Sequence, residues 1–274
     1  KGKSRLVGLF YARPHKATVL PMASLLTAAL VARPAATLMP LNWPWASEGA
    51  PWSRFERFTF ESESKLNRFH SQFAPLLSSV QANESNMLSF AVLLSDEDPL
   101  SVMVLERYAR SQAYYEDHCT TQAFLDFTPK LGRLQPNSSH ATYDETDIGF
   151  YGRNGTDTFT LTDSRLASAW SLAVELTFSS EAKVTQMLEA IVPLVDYIKE
   201  SEPTTLGYKV MRGDEDPLKV MIMERYVDKD DAYLKVHRSS QEFLDFKGKL
   251  RELAPEVDGH SFNESPFLSV GPDR

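Results

Sequence analysis

A glutamate, an arginine and a tyrosine in a row, followed shortly by a histidine, form the pattern in this sequence that is best suited to chemistry. The run is Glu224, Arg225 and Tyr226, and His237 follows it. A histidine with an ordinary pKa of about 6.5 can remove a proton at neutral pH, and an arginine or tyrosine can stabilise the anion that remains. Glu224 could orient a histidine or an arginine by hydrogen bonding. These residues are candidates for acid–base chemistry, with His237 or His260 as the candidate base.

The same pattern occurs earlier in the chain, so the sequence contains an internal repeat. VMVLERYARSQAYYEDHCTTQAFLDF begins at Val102, and VMIMERYVDKDDAYLKVHRSSQEFLDF begins at Val220. The first copy has Tyr108 and His118 as counterparts, but it reads Cys-Thr after the histidine where the second copy reads Arg-Ser. If only one copy holds a working pocket, we expect the first copy to be the structural one.

Each copy predicts the same six elements. An acidic turn with a proline, SDEDPL or GDEDPL, joins two apolar strands, and apolar residues at helical spacing follow. A strand and an amphipathic helix precede each hairpin, and an extended segment ends each copy. This order, βαββαβ, is typical of a ferredoxin-like α+β unit with both helices on one face of the sheet. We expect two such units, residues 52–153 and 166–274, whose bare sheet faces cover each other.

The remaining segments are predicted to connect or precede these units. Residues 154–165 are expected to form a linker, and residues 1–50 an N-terminal arm that could be a partial strand-helix unit. The apolar stretch at residues 17–40 is interrupted by two prolines, so an amphipathic helix is favoured over a membrane span.

Composition limits the partners. The formal net charge is −8, and no run of basic residues is present, which argues against nucleic acid and anionic membranes as partners. Cys119 is the only cysteine, so no intrachain disulfide can form and a reducing, cytoplasmic location is favoured. A chain with two fused units could be a monomer that is a pseudo-dimer, or it could form a homodimer.

The strand MIMERY, the acidic turn after it and the helix AYLKVHRSSQEF resemble the antibiotic biosynthesis monooxygenase family. Members of that family form dimeric α+β barrels in which two ferredoxin-like units pair their sheets. The chain looks like two such units fused in tandem, over about residues 55–153 and 166–270. The resemblance therefore implies an intramolecular version of the dimeric barrel, with the two sheets packed face to face.

The resemblance also implies a function. It points to a cofactor-independent monooxygenase-like enzyme of secondary metabolism that acts on a phenolic, anthrone or polyketide-type small molecule, whose deprotonated form reacts directly with O₂. No cofactor or metal is expected, and no Gly-rich phosphate loop, GxSxG elbow or HExxH motif occurs. Three alternatives remain open. The same pocket could catalyse a non-oxidative cyclisation, dehydration or rearrangement, the barrel could bind or degrade haem through His237, or it could be a non-catalytic binding module.

Further residues are expected to line a substrate pocket between the sheet and the helices. They are Tyr208, Met223, Phe243, His118, Tyr108 and His140. Side chains alternate along a strand, so Glu224 and Tyr226 share one face and Met223 and Arg225 the other, and either face could carry the pocket. His140 and His260 both precede a last extended segment, where they could line a pocket mouth or cap a loop.

Overall fold

The computed structural model describes residues 49–153 and 169–270, with side chains as far as Glu264. The predicted linker lies outside the described residues, and so does the predicted N-terminal arm apart from its last two residues. The described residues form two units with the same order of strands and helices, as the repeat predicts.

The first unit has four strands and two long helices. Its elements are β1 (Trp52–Thr59), α1 (Glu63–Asn83), β2 (Met87–Ser95), β3 (Ser101–Tyr108), the short helix α2 (Ser111–Glu116), a 3-10 turn (His118–Thr120), α3 (Gln122–Leu134) and β4 (Asn137–Phe150). Side-chain oxygens cap both long helices, because Ser62 accepts from the backbone N–H of Lys65 and Thr121 from that of Phe124.

The second unit repeats this plan with one local difference. Its elements are β5 (Trp170–Thr177), α4 (Glu181–Ser201), β6 (Thr205–Gly213), β7 (Lys219–Tyr226), a π-helical segment (Lys229–Val236), a 3-10 turn (His237–Ser239), α5 (Gln241–Leu253) and β8 (Glu256–Val270). The second unit has one residue more between Tyr226 and His237 than the first has between Tyr108 and His118. The wider π-helical turn accommodates this extra residue.

The eight strands form one closed antiparallel barrel in the order β1-β3-β2-β8-β5-β7-β6-β4. The units join at two seams, where β2 pairs with β8 and β4 pairs with β6. The predicted fused α+β barrel is confirmed, and the seams add a detail that the repeat did not reveal. Because the edge strands of each unit pair with those of the other, the sheet has no open edge.

Side-chain alternation divides the apolar residues into layers. Residues that point into the barrel form a core shared by both units, which includes Phe55, Met103, Tyr143, Met211, Met223 and Phe262. Residues on the outer face pack against the helices of their own unit and form a separate core in each. A space between a sheet face and its helices is therefore lined mainly by residues of one unit.

The acidic turns of the two hairpins lock the units together. Trp52, at the start of β1, donates from Nε1 to Asp214 of the second unit at 2.8 Å. Trp170, at the start of β5, donates in the same way to Asp96 of the first unit at 2.9 Å. The proline-containing turns predicted from the repeat therefore join two strands and also contact the other unit, in the same way in both directions. None of the helices within residues 49–153 and 169–270 is both long enough and apolar enough to cross a bilayer.

Candidate functional site

A cavity of about 360 Å³ lies in the second unit, between the outer face of its sheet and helix α5. Its walls are mostly apolar and include Leu172, Val174, Ile222, Phe243, Phe246 and Leu250. Its polar groups are few, and the carboxylate of Glu224 is one of them. An apolar chamber of this size with a small number of polar groups is typical of a small-molecule site.

Glu224 is a buried carboxylate at the end of strand β7. Its side chain accepts a hydrogen bond from the Tyr226 hydroxyl at 2.8 Å. Burial raises the pKa of Glu224 above its ordinary value, and nearby His237 and the Tyr226 hydroxyl oppose this rise. A carboxylate with a raised pKa at a cavity wall can act as a general base.

Tyr208 also lines the cavity. Its pKa is raised well above the ordinary value, first by burial and then by neighbouring Glu224, with which it shares a hydrogen bond. Tyr226, fully buried, has its pKa raised in the same way. Both hydroxyls therefore stay protonated at neutral pH, and both can hold the carboxylate in place as donors.

His237 is fully buried beside this group and does not line the cavity. Its Nδ1 is 3.1 Å from the carboxylate of Glu202, and its ring stacks on Tyr233 at an interplanar angle of 16°. Its Nε2 has no hydrogen-bond partner among the described residues. The imidazole lies 5.5 Å from the Tyr226 ring, centre to centre, so its geometry suits positioning of Tyr226 better than direct contact with a ligand.

Arg225 and Met223, both predicted at the site, face the barrel interior instead. Arg225 donates from Nε and Nη2 to the carboxylate of Glu264 on β8, each at 2.8 Å. Met223 packs in the shared barrel core. Alternation along β7 carries Glu224 and Tyr226 to the helix side and these two residues away from it. Neither Arg225, expected as an anion-stabilising group, nor Met223, expected as a substrate contact, therefore lines this cavity.

His260 lies at one end of the barrel, apart from the second-unit cavity. It contacts Arg57 of the first unit, and its Nε2 is 3.0 Å from Asp258. His260 pairs with Ala173 across the sheet, while Phe55, the counterpart of Ala173, pairs with Ala141. His260, expected as a base, therefore does not line the second-unit cavity either.

His140 is not the structural equivalent of His260, because the pairing register shifts the match by one residue. It is opposite Glu56 in the first-unit sheet, and burial together with Arg54 lowers its pKa. His140 also borders the open space of about 210 Å³ at the barrel end. His140, expected as a substrate contact, therefore does not line the second-unit cavity.

The first unit places charged side chains where the second has the apolar wall. Arg54 and Glu56 of β1 are both buried and are the counterparts of Leu172 and Val174 in β5. Arg54 donates to Glu56 at 2.9 Å and lies 3.8 Å from Glu106. Glu106, the counterpart of Glu224, therefore has a cation beside it, and a ligand at this place would have to displace an ion pair.

The predicted first-unit contacts, Tyr108 and His118, belong to this charged cluster. Tyr108 donates to Glu106 at 2.6 Å, and His118 Nδ1 lies 2.9 Å from Glu84. Both are buried. Tyr108 and His118 surround Glu106 as Tyr226 and His237 surround Glu224, but the first unit has charged residues where the second unit has an apolar cavity wall.

Of the residues predicted at a site, the structure brings Glu224, Tyr208 and Phe243 together at the cavity, and Tyr226 contacts Glu224. Sequence reasoning missed Leu172 and Val174, which make the wall apolar. The signal was present in the strands WSRFERFT and WSLAVELT, which differ at these positions. It also missed three cations at the cavity mouth, Arg238, Lys247 and Arg251.

Comparison with protein families gives two matches along the chain. A family model described as antibiotic biosynthesis monooxygenase matches residues 57–130 and again residues 172–249. Each match covers most of one unit. A search of curated proteins found no match.

Solved structures with both units share the fold. A candidate monooxygenase from Fusobacterium nucleatum subsp. nucleatum ATCC 25586 is 16% identical with a TM-score of 0.68, and covers 82% of this chain and 96% of its own. A candidate monooxygenase from Lactobacillus acidophilus NCFM is 12% identical with a TM-score of 0.62, and the match covers 78% of this chain and 93% of the other. An anthrone oxidase-like protein is 10% identical with a TM-score of 0.57, over 84% and 96%. At these identities the likeness shows the fold.

Proposed function

The chain belongs to the antibiotic biosynthesis monooxygenase family, and from that premise we propose that its second unit is a monooxygenase site for an aromatic small molecule. The observation that carries the proposal is the buried carboxylate of Glu224 at the wall of an apolar cavity of about 360 Å³. The cavity size falls in the range of small-molecule sites, and its Phe243 and Phe246 rings suit a phenolic, anthrone or polyketide-type substrate.

Glu224 is the proposed general base. Its carboxylate takes the proton from a phenolic hydroxyl or an activated methylene, which leaves an electron-rich anion. The Tyr226 and Tyr208 hydroxyls orient the carboxylate, and His237 supports Tyr226 from behind. This assignment keeps the base-assisted chemistry expected from the sequence and moves the base from a histidine to the glutamate.

The oxygenation then needs O₂ as the only second reactant. The substrate anion passes one electron to O₂, and the resulting radical and superoxide combine to a peroxide. The peroxide takes a proton, the remaining C–H proton is removed by the base, and the O–O bond breaks with loss of water. In sum a methylene and O₂ become a carbonyl and water. The apolar walls exclude bulk water while the anion forms.

An oxygen-electrode assay with dithranol, a small anthrone, tests the proposal. We expect uptake of one O₂ per anthraquinone formed, at a rate well above the autoxidation of dithranol alone, without added cofactor. Glu224→Gln keeps the shape of the side chain but cannot accept the proton, so it should bring the rate close to autoxidation. Glu106→Gln, in the first unit, is the matched control and should retain turnover.

The outcomes separate the alternatives. Consumption of an aromatic substrate without O₂ uptake would assign the cavity to a non-oxidative rearrangement. Equal rates for wild-type protein and Glu224→Gln would overturn Glu224 as the base. A preparation that shows a Soret band after haem titration, lost in His237→Ala, would favour the haem-binding alternative.

A further inference from the structure

The mouth of the second-unit cavity carries three positive charges. Arg238 follows His237, and Lys247 and Arg251 lie one turn apart on α5, and all three line the cavity. Arg238 and Lys247 are half-buried, and Arg251 is exposed. Burial, followed by the proximity of Arg238 and Arg251, lowers the pKa of Lys247. The three charges therefore lie close enough to repel one another.

These charges are particular to the unit that has the cavity. Their counterparts in the first unit are Cys119, Thr128 and Gly132, none of which is cationic. The common fold consequently does not require them. A cluster of like charges costs stability unless something compensates it, so their presence at one cavity mouth calls for an explanation in terms of that cavity.

Neighbouring protein groups compensate the three charges only in part. Arg238 lies over the Tyr233 ring at 5.7 Å. Arg238 also interacts electrostatically with Glu224, but across the described part of the chain neither Arg238 nor Arg251 lies within 4 Å of a carboxylate. Glu97 also borders the cavity, but its carboxylate lies 4.0 Å from His260 Nδ1. The other cation at this edge, Lys229, is paired with Asp96 at 2.7 Å.

We propose that the ligand of this cavity is an aromatic acid, whose anionic group binds to Arg238, Lys247 and Arg251 while its apolar body fills the chamber. The inference rests on the proposed function in taking the cavity as the substrate site, and it adds the chemical class of the substrate. The carboxylate or other acid group is separate from the reacting carbon, which lies at Glu224 on the cavity wall.

The arrangement would also orient the substrate. An anionic group would be repelled by the carboxylate of Glu224 and attracted to the mouth, so the molecule enters with its neutral aromatic end first. Guanidinium groups bind planar carboxylates through paired N–H donors, which fixes the direction of the ring system behind them. The acid thus stays in contact with solvent while the reacting carbon is enclosed.

Binding of two matched probes tests the proposal. Anthraquinone-2-carboxylate and anthraquinone-2-carboxamide have nearly the same shape and differ in charge. In calorimetric titrations at low salt, we expect the carboxylate to bind the wild-type protein about tenfold more tightly than the amide. Raising the salt concentration from about 0.05 to about 0.5 M should weaken binding of the carboxylate and leave binding of the amide unchanged, because salt screens exposed charges.

A charge-removal variant provides the second measurement. Arg238→Gln, Lys247→Gln and Arg251→Gln together should lower the affinity for the carboxylate about tenfold and leave that for the amide unchanged. The control variant Lys130→Gln, Lys235→Gln and Lys249→Gln removes the same net charge at positions that do not line the cavity. It should bind both probes as wild-type does. The salt titration of wild-type protein decides the question if the first variant fails to fold.

Each outcome has one meaning. Equal affinity for the two probes, insensitive to salt, would overturn the aromatic-acid proposal and leave the cavity as a site for neutral aromatics. If both triple variants bind the carboxylate probe equally weakly, the effect is one of general charge, and the aromatic-acid proposal would also be overturned. If neither probe binds, the cavity is not a site for aromatic molecules, and the proposed function is overturned as well.

Discussion

The two units of the barrel bury the same glutamate in different surroundings. In both, the carboxylate at the end of the third strand accepts a hydrogen bond from the tyrosine two residues later, Tyr108 at 2.6 Å in one and Tyr226 at 2.8 Å in the other. In the first unit Arg54 lies 3.8 Å from Glu106. In the second unit the equivalent residue is Leu172, and Glu224 borders a cavity.

This difference separates the parts of the pattern that hold the fold from the part that can do chemistry. The buried histidine and its glutamate partner occur in both units, so they are explained by the fold. The pKa of both strand-end carboxylates is raised by burial, and in each unit the buried histidine and an arginine oppose this rise, Arg54 at Glu106 and Arg238 at Glu224. Only Arg54 lies within ion-pair distance of its carboxylate. Glu224 borders a cavity and, among the described residues, has no cation within ion-pair distance, so it is poised to take a proton from a ligand.

The largest expected effect comes from removing each carboxylate in turn. Glu224→Gln should lower kcat by about 10²- to 10⁴-fold, the range for loss of a general base. Glu106→Gln should leave kcat unchanged and lower the free energy of unfolding by about 1–3 kcal/mol, because Arg54 loses a buried partner. Oxygen uptake with dithranol and urea denaturation measure the two quantities. Similar losses of activity in both variants would mean that both units work.

The next effect comes from giving the second unit the charged pair of the first. Leu172→Arg with Val174→Glu should place an ion pair next to Glu224 and occupy the cavity. We expect a loss of kcat/KM of about 10²-fold or more, through loss of the apolar wall and of space for the substrate. Steady-state kinetics and the affinity for anthraquinone-2-carboxamide report it.

A conservative exchange at the same positions is the control for that double variant. Leu172→Ile with Val174→Ile keeps the wall apolar and should retain most of the activity. Circular dichroism shows whether the charged pair is tolerated by the fold, as it is in the first unit. Full activity in a well-folded charged variant would show that the substrate binds elsewhere.

A smaller and equal effect is expected at the two buried histidines. His118 and His237 each connect to a glutamate at the C-cap of the first helix in their unit, Glu84 and Glu202. Replacing either histidine by Ala removes one buried partner of that carboxylate, so the free energy of unfolding should fall by about 2 kcal/mol in each case. Urea denaturation of both variants tests the equality. A large loss of kcat in His237→Ala with unchanged stability would restore the histidine as the base expected from the sequence.

The repeat and the fold could be predicted from the sequence because they rest on patterns within each copy. Apolar spacing and the acidic turns identify the hairpins and helices, and the bare sheet faces require two units to cover each other. The closed barrel needs the seams between β2 and β8 and between β4 and β6. These pairings join distant parts of the chain and have no local signal.

The candidate site was predictable only in part, for two physical reasons. Alternation alone could not show which face of β7 meets the helices, and a partner as distant as Glu264 decides that Arg225 points inward. The sequence order suggests that His140 and His260 are equivalent. The strand pairing shows instead that Ala141 is the counterpart of His260. The contrast between Arg54 and Leu172 could have been seen by aligning the first strands, since a buried charge in only one copy marks a difference in use.

The smallest effect is a pH dependence that belongs to one unit. Burial raises the pKa of Glu224 above its ordinary value of 4.5. Because the base must be ionised, kcat/KM should fall as the pH falls through this raised pKa, so the acid limb of the pH profile should lie above 4.5. Glu106→Gln should keep this limb, and the residual rate of Glu224→Gln should lack it.

The stability of the protein should change in the opposite direction over the same pH window. A carboxyl whose pKa is higher in the folded protein than in the unfolded chain holds its proton more tightly when folded, so its favourable contribution is lost as the pH rises through the raised pKa. Glu224→Gln cannot ionise. Its unfolding free energy, relative to wild-type, should therefore improve from pH 4.5 upward, measured by urea denaturation at several pH values. A difference that does not vary with pH would show that Glu224 is ionised equally easily in the folded and unfolded chain, which would contradict the raised pKa of this carboxyl.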